Sequence, residues 1–265
     1  MSPRMDLPAS CRICAGPTRH VFDLRSQRHP DVTVPVVRCG RCDAYFSNGG
    51  PVNYDDVDLT GYYLQHADLI RARYARVFER VEASLRPGRF FDIGAGMGFS
   101  LEVGQARGWC SSGLEPNRAL AQHAQARGLD IANQYLDEQF HGRYDFVLVD
   151  NVLEHVPEPS LFLRNAARVV EPSGVLVVAV PPLDWLRKAL AAIPYVRNRV
   201  TRPQLNVFGE VDEHLNMLGR RAMAALARGA GLRLSPLRFH HSPVYDNAAV
   251  RALGLDDGYY FMHTG

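Results

Sequence analysis

A short apolar segment that runs into three closely spaced glycines constrains the fold of this chain more than any other feature. The stretch RFFDIGAGMGFSLEV, residues 89–103, begins as a buried strand over Arg89–Ile93 and continues into an apolar repeat with helical spacing. Gly94, Gly96 and Gly98 lie between the two patterns. A strand, a glycine turn and a helix in this order predict a ligand site at the turn.

Strand and helix patterns follow one another along the rest of the chain. A helix is predicted over residues 69–85, and the segments after it have these patterns: RFFDI, SLEVGQARG, CSSGLEP, RALAQHAQARG, LDIA, YDFVLVD, SLFLRNAARVV and GVLVVAV. Continuous apolar strands separated by amphipathic helices indicate a parallel sheet covered on both faces. We therefore predict a doubly wound, Rossmann-like α/β fold. Cys110 begins one of the strands and is predicted to be a buried core thiol.

Four of the five cysteines form two C-x-x-C pairs, Cys11 with Cys14 and Cys39 with Cys42. Two such pairs supply the four thiolates of a structural zinc site, which has no open position for catalysis. Disulfide bonds are disfavoured because no export-signal pattern is present, and a redox pair would not need a second copy. Residues 1–50 are predicted to form a zinc ribbon that depends on its metal to fold.

The chain length and the net charge limit the number of domains and the kinds of partner that can be expected. The 265 residues accommodate one large domain and a small one, and the net charge of +2 does not by itself indicate nucleic acid. No run approaches the roughly 18 apolar residues of a membrane span, so a cytoplasmic protein is expected. We divide the chain into the ribbon (1–50), a linker with a leading helix (51–88) and a main domain (89–265). Within the main domain, residues 182–210 are either a lid whose arginines suit a phosphate or carboxylate, or a solvated amphipathic helix.

The glycine turn does not match the dinucleotide fingerprint G-x-G-x-x-G, because Phe99 stands where the third glycine should be. What is present is D-x-G-x-G-x-G, from Asp92 to Gly98. Glu115 follows at the end of the next strand, roughly 20 residues on, the spacing at which a carboxylate binds ribose hydroxyls.

These residues resemble the class I S-adenosylmethionine-dependent methyltransferases. The motifs FFDIGAGMGFSL, GLEPN, YDFVLVDNVLEHVPEP, SGVLVVAVPP and DEHLNML occur in the order of that family. The cysteine pairs, followed by CDAYFSN and GYY, resemble a bacterial group that carries a zinc ribbon in front of such a domain. The resemblance implies S-adenosylmethionine as the cofactor, with Glu115 on its ribose. It also implies that the segment from Asp150 to His155 borders both cofactor and acceptor. The residues expected to bind the cofactor are Tyr63, Asp92, Gly94, Ala95, Gly96, Gly98, Glu115, Pro116, Gln134, Asp150, Asn151 and Val152.

Methyl transfer from a sulfonium is an in-line displacement, to which a protein contributes mainly alignment of the reacting groups. If the acceptor is a hydroxyl, a base should lie within reach of its proton. His155 and the adjacent pair Glu213 and His214 are the catalytic candidates, because histidine titrates near neutral pH and a carboxylate can orient it. We prefer His214 as the base.

The resulting prediction is an enzyme that methylates a small molecule or a glycan precursor, phosphate-bearing acceptors included, in secondary-metabolite or surface-polysaccharide synthesis. Oxygen is the expected methylated atom. One alternative is an RNA methyltransferase whose ribbon binds the nucleic acid, disfavoured because aspartates offset the ribbon's arginines and few aromatics are available for stacking. The other is a non-catalytic binding module, disfavoured because Asp92, the glycines and Glu115 are all present. No nucleic-acid partner is expected, and the sequence indicates no oligomeric state.

Overall fold

The computed structural model describes residues 10–25, 32–47, 58–181, 214–239 and 258–264. Two features that the sequence singles out lie outside these ranges: the segment 182–210, predicted as a lid or a solvated helix, and the catalytic candidate Glu213. Within them, no helix has the length and apolar character needed to cross a bilayer.

Strands and helices are numbered in chain order. The strands are β1 (Thr18–Arg25), β2 (Thr33–Cys39), β3 (Tyr45–Ser47), β4 (Arg89–Ile93), β5 (Cys110–Leu114), β6 (Asp130–Ala132), β7 (Tyr144–Asp150), β8 (Val170–Val180), β9 (Asn216–Met217), β10 (Leu232–Phe239) and β11 (Gly258–Thr264). The helices are α1 (Thr60–Gln65), α2 (Ala67–Glu82), α3 (Phe99–Ala106), α4 (Arg118–Ala126), α5 (Pro159–Arg168) and α6 (Arg220–Gly229).

A seven-stranded sheet with the order β10-β11-β8-β7-β4-β5-β6 forms the centre of the described fold. Strands β4 to β8 are parallel, whereas β11 pairs antiparallel with β8 and β10 pairs antiparallel with β11. The chain runs from β4 towards one edge and then returns to β7 on the other side of β4. The strand order therefore reverses at β4, and ligands bind at such a point in open α/β sheets. The predicted α/β fold is confirmed.

The sheet is buried on both faces, which explains why its strands are apolar throughout. Phe90 of β4 packs with Phe78 of α2 and Phe146 of β7 on the face covered by α2, α3 and α4. Its neighbour Phe91 points to the opposite face, which α5 and α6 cover. The predicted helix over residues 69–85 corresponds to α2, whose buried side chains are Tyr74, Val77, Phe78 and Val81.

A second sheet has the order β1-β2-β3-β9. The strand-like segments HVFDL and VTVPVVRC of the sequence lie in β1 and β2. Its fourth strand comes from far along the chain, with Phe46 of β3 opposite Asn216 of β9. Ser47 adds two hydrogen bonds, from its N–H to Leu215 O at 3.1 Å and from its hydroxyl to His214 O at 2.8 Å. The cysteine-containing segment is therefore attached to the chain just before α6.

Cys110 is exposed, so the prediction of a buried core thiol is wrong. It is the first residue of β5, and its N–H donates to Gly88 O at 2.8 Å. Burial along this strand begins at Ser111, because the side chain at the amino end of β5 belongs to neither core of the sheet.

Candidate active site

The turn after β4 is built on left-handed backbone. Gly94, Gly96 and Gly98 have φ angles of 86°, 55° and 77°, which residues with a Cβ rarely adopt. The N–H groups of Gly94 and Ala95 donate to Leu114 O at 2.8 and 2.9 Å. These two bonds attach the turn to the carboxyl end of β5, and Gly98 forms the N-cap of α3.

Two side chains from distant segments close on this turn. A Cβ added to Gly94 would lie 2.5 Å from Val152 Cγ2, and one added to Gly96 would lie 2.8 Å from Tyr63 Oη. Both glycines are therefore required by the available space as well as by their φ angles. The structure brings the predicted site residues Tyr63 and Val152 to the glycine turn.

Glu115 connects the glycine turn to the end of β5. Its carboxylate accepts hydrogen bonds from Gly96 N and Asn117 N, both at 2.7 Å. Burial raises the pKa of Glu115, and the two N–H donors partly offset that rise. A carboxylate has about four acceptor positions, so room remains for two hydroxyl donors. Asn133, which the sequence analysis did not identify, donates to the carbonyl oxygens of Glu115 and Pro116 at 2.9 and 2.8 Å.

Asp92, at the end of β4, is fully buried. Burial raises the pKa of this carboxyl group to about 8, an effect reinforced by the nearby charges of Asp150 and Glu115 and opposed by the hydrogen bond from Ser100. The Ser100 hydroxyl donates to Asp92 Oδ2, whereas Asp92 Oδ1 has no hydrogen-bond partner among the described residues. A buried carboxyl oxygen that has no hydrogen-bond partner among the described residues is suited to a cationic or hydrogen-bonding ligand.

Arg73 is a charged residue of the site that the sequence analysis missed. It extends from α2 to Asp150 at the end of β7, and the two side chains are only 15% and 2% exposed. The sequence contains one indication that Arg73 is buried. It follows Ile70 by three residues and precedes Val77 by four, so it lies on the apolar face of the helix. Arg73 thus brings a positive charge to Asp150 at the carboxyl end of β7.

The segment after β7 meets the segment before β9 in a cluster of two histidines and one glutamate. The rings of His155 and His214 have centroids 4.8 Å apart, and His155 Nε2 lies 3.9 Å from Glu154 Oε1. Asn216 connects the two segments by donating from its backbone N–H to Glu154 O at 2.9 Å. Its side-chain amide also donates to Leu153 O at 3.0 Å. The structure brings the predicted residues His155 and His214 together and adds Glu154.

The four ribbon cysteines also converge. Their thiols are free, with Sγ atoms 3.5 Å apart both between Cys11 and Cys42 and between Cys14 and Cys39. Four thiolates around a zinc ion, each about 2.3 Å from the metal, would lie about 3.8 Å from one another. The hydrogen bond between Cys11 and Cys42 is the main cause that lowers the pKa of Cys11 to about 5 and raises the pKa of Cys42, so without a metal Cys11 is the thiolate of this pair.

Comparison with known proteins identifies the family. A family model described as a methyltransferase domain matches residues 63–237. A ubiquinone biosynthesis O-methyltransferase of Rhodopseudomonas palustris is 33% identical over 196 residues, which span 67% of this chain and 76% of that protein. This chain is an S-adenosylmethionine-dependent methyltransferase. The match supports an enzyme and not the non-catalytic binding module.

Solved structures show that the fold of this methyltransferase is shared with distant relatives. The 1,6-didemethyltoxoflavin-N1-methyltransferase of Burkholderia thailandensis, with S-adenosylhomocysteine bound, has a TM-score of 0.55 at 16% identity. The match covers 88% of this chain and 96% of that one. An S-adenosylmethionine-dependent methyltransferase of Clostridium acetobutylicum has a TM-score of 0.54 at 10% identity, covering 79% of this chain and 100% of that one.

The residues around the glycine turn fit S-adenosylmethionine. Asp92, Glu115 and Asp150 make this region rich in carboxylates, with a buried Asp92 oxygen that still lacks a partner among the described residues. The cofactor has a sulfonium, an ammonium group and two ribose hydroxyls, all of which interact favourably with carboxylates. The diphosphate of a dinucleotide would find no favourable partner in these carboxyl groups, in agreement with the incomplete dinucleotide fingerprint.

The remaining predicted cofactor residues have different surroundings. Pro116 is half-buried beside Glu115, and Asn151 has a left-handed φ of 53° directly after β7. Gln134 is exposed after β6, and its N–H donates to Ala132 O at 3.1 Å. The role of Gln134 in binding the cofactor stays a prediction, whereas its neighbour Asn133 contacts the backbone of the site directly.

Proposed function

We propose that this methyltransferase transfers the methyl group of S-adenosylmethionine to a hydroxyl oxygen of a small-molecule acceptor. The observation that carries the proposal is the cluster of Glu154, His155 and His214. Glu154 and His155 lie on the segment that also supplies Val152 to the glycine turn, and His155 N donates to Val152 O at 2.9 Å. His214 reaches them from the segment before β9, with its ring centroid 4.8 Å from that of His155. Groups able to take a proton are therefore adjacent to the proposed cofactor site.

The cofactor residues have distinct proposed tasks. Glu115, held by two backbone N–H groups, accepts the ribose hydroxyls, while Asp92 and the glycine turn receive the amino-acid part. Tyr63 covers the turn at Gly96, where its ring limits access of water. Arg73 holds Asp150 at the end of β7, next to the segment that borders the acceptor.

The chemistry of the cluster suits an oxygen acceptor. When bound, S-adenosylmethionine supplies an electrophilic methyl group on its sulfonium. A neutral hydroxyl is a weak nucleophile and gains most from losing its proton as the new bond forms. We retain His214 as the proposed base, and we propose that Glu154, whose Oε1 lies 3.9 Å from His155 Nε2, takes in this cluster the part of the neighbouring carboxylate that the sequence predicted for Glu213. Loss of such a base typically lowers turnover by a factor of about 100 to 10,000.

The name of the curated relative, an O-methyltransferase, supports oxygen as the methylated atom. The proposed acceptor is a small molecule or a glycan precursor of secondary-metabolite or surface-polysaccharide synthesis, including acceptors that bear a phosphate. For the ribbon, we propose one structural zinc ion on Cys11, Cys14, Cys39 and Cys42, supported by their convergence and free thiols.

The test is to incubate the full chain with methyl-labelled S-adenosylmethionine and either a bacterial metabolite extract or total RNA. We expect label in the small-molecule fraction, in a product whose NMR spectrum shows a methyl ether. The His214→Ala variant should incorporate label at a rate about 100- to 10,000-fold lower. Label confined to RNA, or a product methylated on nitrogen or carbon, would contradict the proposal.

A further inference from the structure

We propose that Glu154, His155 and His214 form a binding site for one divalent transition-metal ion, separate from the four cysteines. One ligand atom from each residue lies within 4.8 Å of the other two. Ligands on one metal ion, each about 2.0–2.2 Å from it, are separated by about 3 to 4.4 Å. The present arrangement therefore needs side-chain movements of well under 1 Å for each ligand to reach a common ion.

The donor set indicates the class of metal. Two imidazoles and one carboxylate suit ions such as Mn²⁺, Fe²⁺ and Zn²⁺, whereas the four cysteine thiolates select soft metals, chiefly zinc. Three protein ligands leave coordination positions open, as in catalytic sites and unlike the closed tetrahedron predicted for the ribbon. The side chains of Glu154 and His155 are 2% and 15% exposed, so the ion would lie in a largely desolvated place.

The surroundings hold the ligands in place from both segments. Asn216 donates to the carbonyl oxygens of Leu153 and Val156 at 3.0 and 2.7 Å, which brackets Glu154 and His155. The hydroxyl of Ser47, in β3 of the second sheet, donates to His214 O at 2.8 Å. Hydrogen bonds that fix the backbone around ligands are typical of metal sites, where preorganisation raises affinity.

This inference rests on the proposed function and deepens it by giving the acceptor a chemical property. An acceptor hydroxyl bound at an open position of the ion would become more acidic and would lose its proton to water. Its oxygen would then form a bond to the methyl carbon as the carbon–sulfur bond of S-adenosylmethionine breaks, with S-adenosylhomocysteine as the leaving group. With the ion bound, the imidazole of His214 would be a metal ligand and would activate the hydroxyl through the ion instead of as the base proposed above. His214→Ala would lower turnover in either case. Acceptors with two neighbouring oxygens, which can chelate the ion, should therefore be preferred.

The experiment titrates Mn²⁺ into the full chain that carries one zinc ion per chain and from which all further zinc has been removed by dialysis against a chelator, and it follows the free ion by electron paramagnetic resonance. Mn²⁺ is used because a four-thiolate site does not favour it. We expect one Mn²⁺ per chain, with affinity at least about tenfold weaker in Glu154→Gln, His155→Ala and His214→Ala. His123→Ala, a substitution of an exposed histidine on α4, is the control and should bind as the parent does.

Binding of S-adenosylhomocysteine, measured on the same samples, shows that each variant is folded and that the cofactor site is intact. Absence of Mn²⁺ binding up to millimolar concentration, or equal affinity in the parent and the three variants, would overturn the metal site. Either result would leave the proposed methyl transfer standing if label still reaches a hydroxyl acceptor. Failure of the proposed function would appear instead as no transfer to oxygen with Mn²⁺ bound.

Discussion

At the scale of single residues, the site depends on carboxylates whose burial makes them sensitive to their partners. The sequence predicted Asp92, Glu115, His155 and His214 because each stands beside a recognisable pattern. It did not predict Arg73 or Glu154, since what they contact depends on how α2 and the segment after β7 lie against the sheet. Spacing alone places residue 73 on the apolar face of α2 but does not identify Asp150 as its partner.

Glu115→Ala should weaken binding of S-adenosylhomocysteine. The substitution removes the acceptor of two backbone N–H groups, which is also the proposed acceptor of the ribose hydroxyls. A hydrogen bond to a charged group contributes about 1.5–3 kcal/mol, so calorimetry should show a loss of about 10- to 150-fold. Glu79→Ala, an exposed position on α2, is the matched control and should bind as the parent does. Parental affinity of Glu115→Ala would remove this residue from the proposed site.

Asp92 should make the cofactor-free protein less stable as pH rises. Its pKa is about 8 in the folded chain and about 3.9 when unfolded. Between these values the folded state binds one proton more than the unfolded state, so this residue lowers the free energy of unfolding as pH increases from about 4 to 8. Asp92→Asn removes the effect, and its stability relative to the parent should increase over this interval. Urea unfolding at pH 5 and pH 8.5 measures the difference, and a difference independent of pH would contradict the raised pKa.

At the scale of elements, the sequence was most informative about segments that are long and regular. The strands and helices around the glycine turn were predicted because their apolar periodicity is continuous. The pairing of β3 with β9 was not, because β9 has only two residues and its partner lies in a distant segment. Cys110 was predicted incorrectly because an apolar run does not show where along a strand burial begins.

The glycine turn should not tolerate a side chain at Gly96. Gly96→Ala places a Cβ 2.8 Å from Tyr63 Oη and strains a left-handed backbone, at a cost of about 1–2 kcal/mol. Thermal unfolding and calorimetry should show lower stability and weaker cofactor binding. Gly61→Ala on α1, where nothing lies within 4 Å, should show neither effect. Adding Tyr63→Ala should relieve only the steric part, and full recovery would contradict the backbone requirement.

At the scale of the whole molecule, the division into a ribbon (1–50), a linker (51–88) and a main domain (89–265) stays a prediction. The second sheet qualifies it, since β9 belongs to the chain segment that precedes α6. The sequence predicted a ribbon and an α/β sheet, but the way in which they connect depends on hydrogen bonds of the β3 backbone that no pattern specifies.

Cys39→Ser should abolish zinc binding at the four cysteines and destabilise the second sheet (β1-β2-β3-β9), while the seven-stranded sheet persists. The ribbon is small, so its metal contributes much of its folding free energy. Metal analysis after dialysis against a chelator, which empties the weaker site of Glu154, His155 and His214, should give one zinc per chain for the parent and none for the variant. Hydrogen exchange should accelerate at Tyr45–Ser47 and at Asn216–Met217, because these strands pair. Cys110→Ser, at the exposed cysteine, is the control. One zinc per chain in both variants would contradict the four-cysteine site.

The central claim is that the glycine turn and its carboxylates bind S-adenosylmethionine. Calorimetric titration of the full chain with S-adenosylhomocysteine, and separately with NADH, tests it most directly. We expect one S-adenosylhomocysteine per chain and no heat of binding with NADH, because the glycine turn lacks the third glycine of the dinucleotide fingerprint and its buried carboxyl groups offer a diphosphate no favourable partner. Binding of NADH with no affinity for S-adenosylhomocysteine would contradict it.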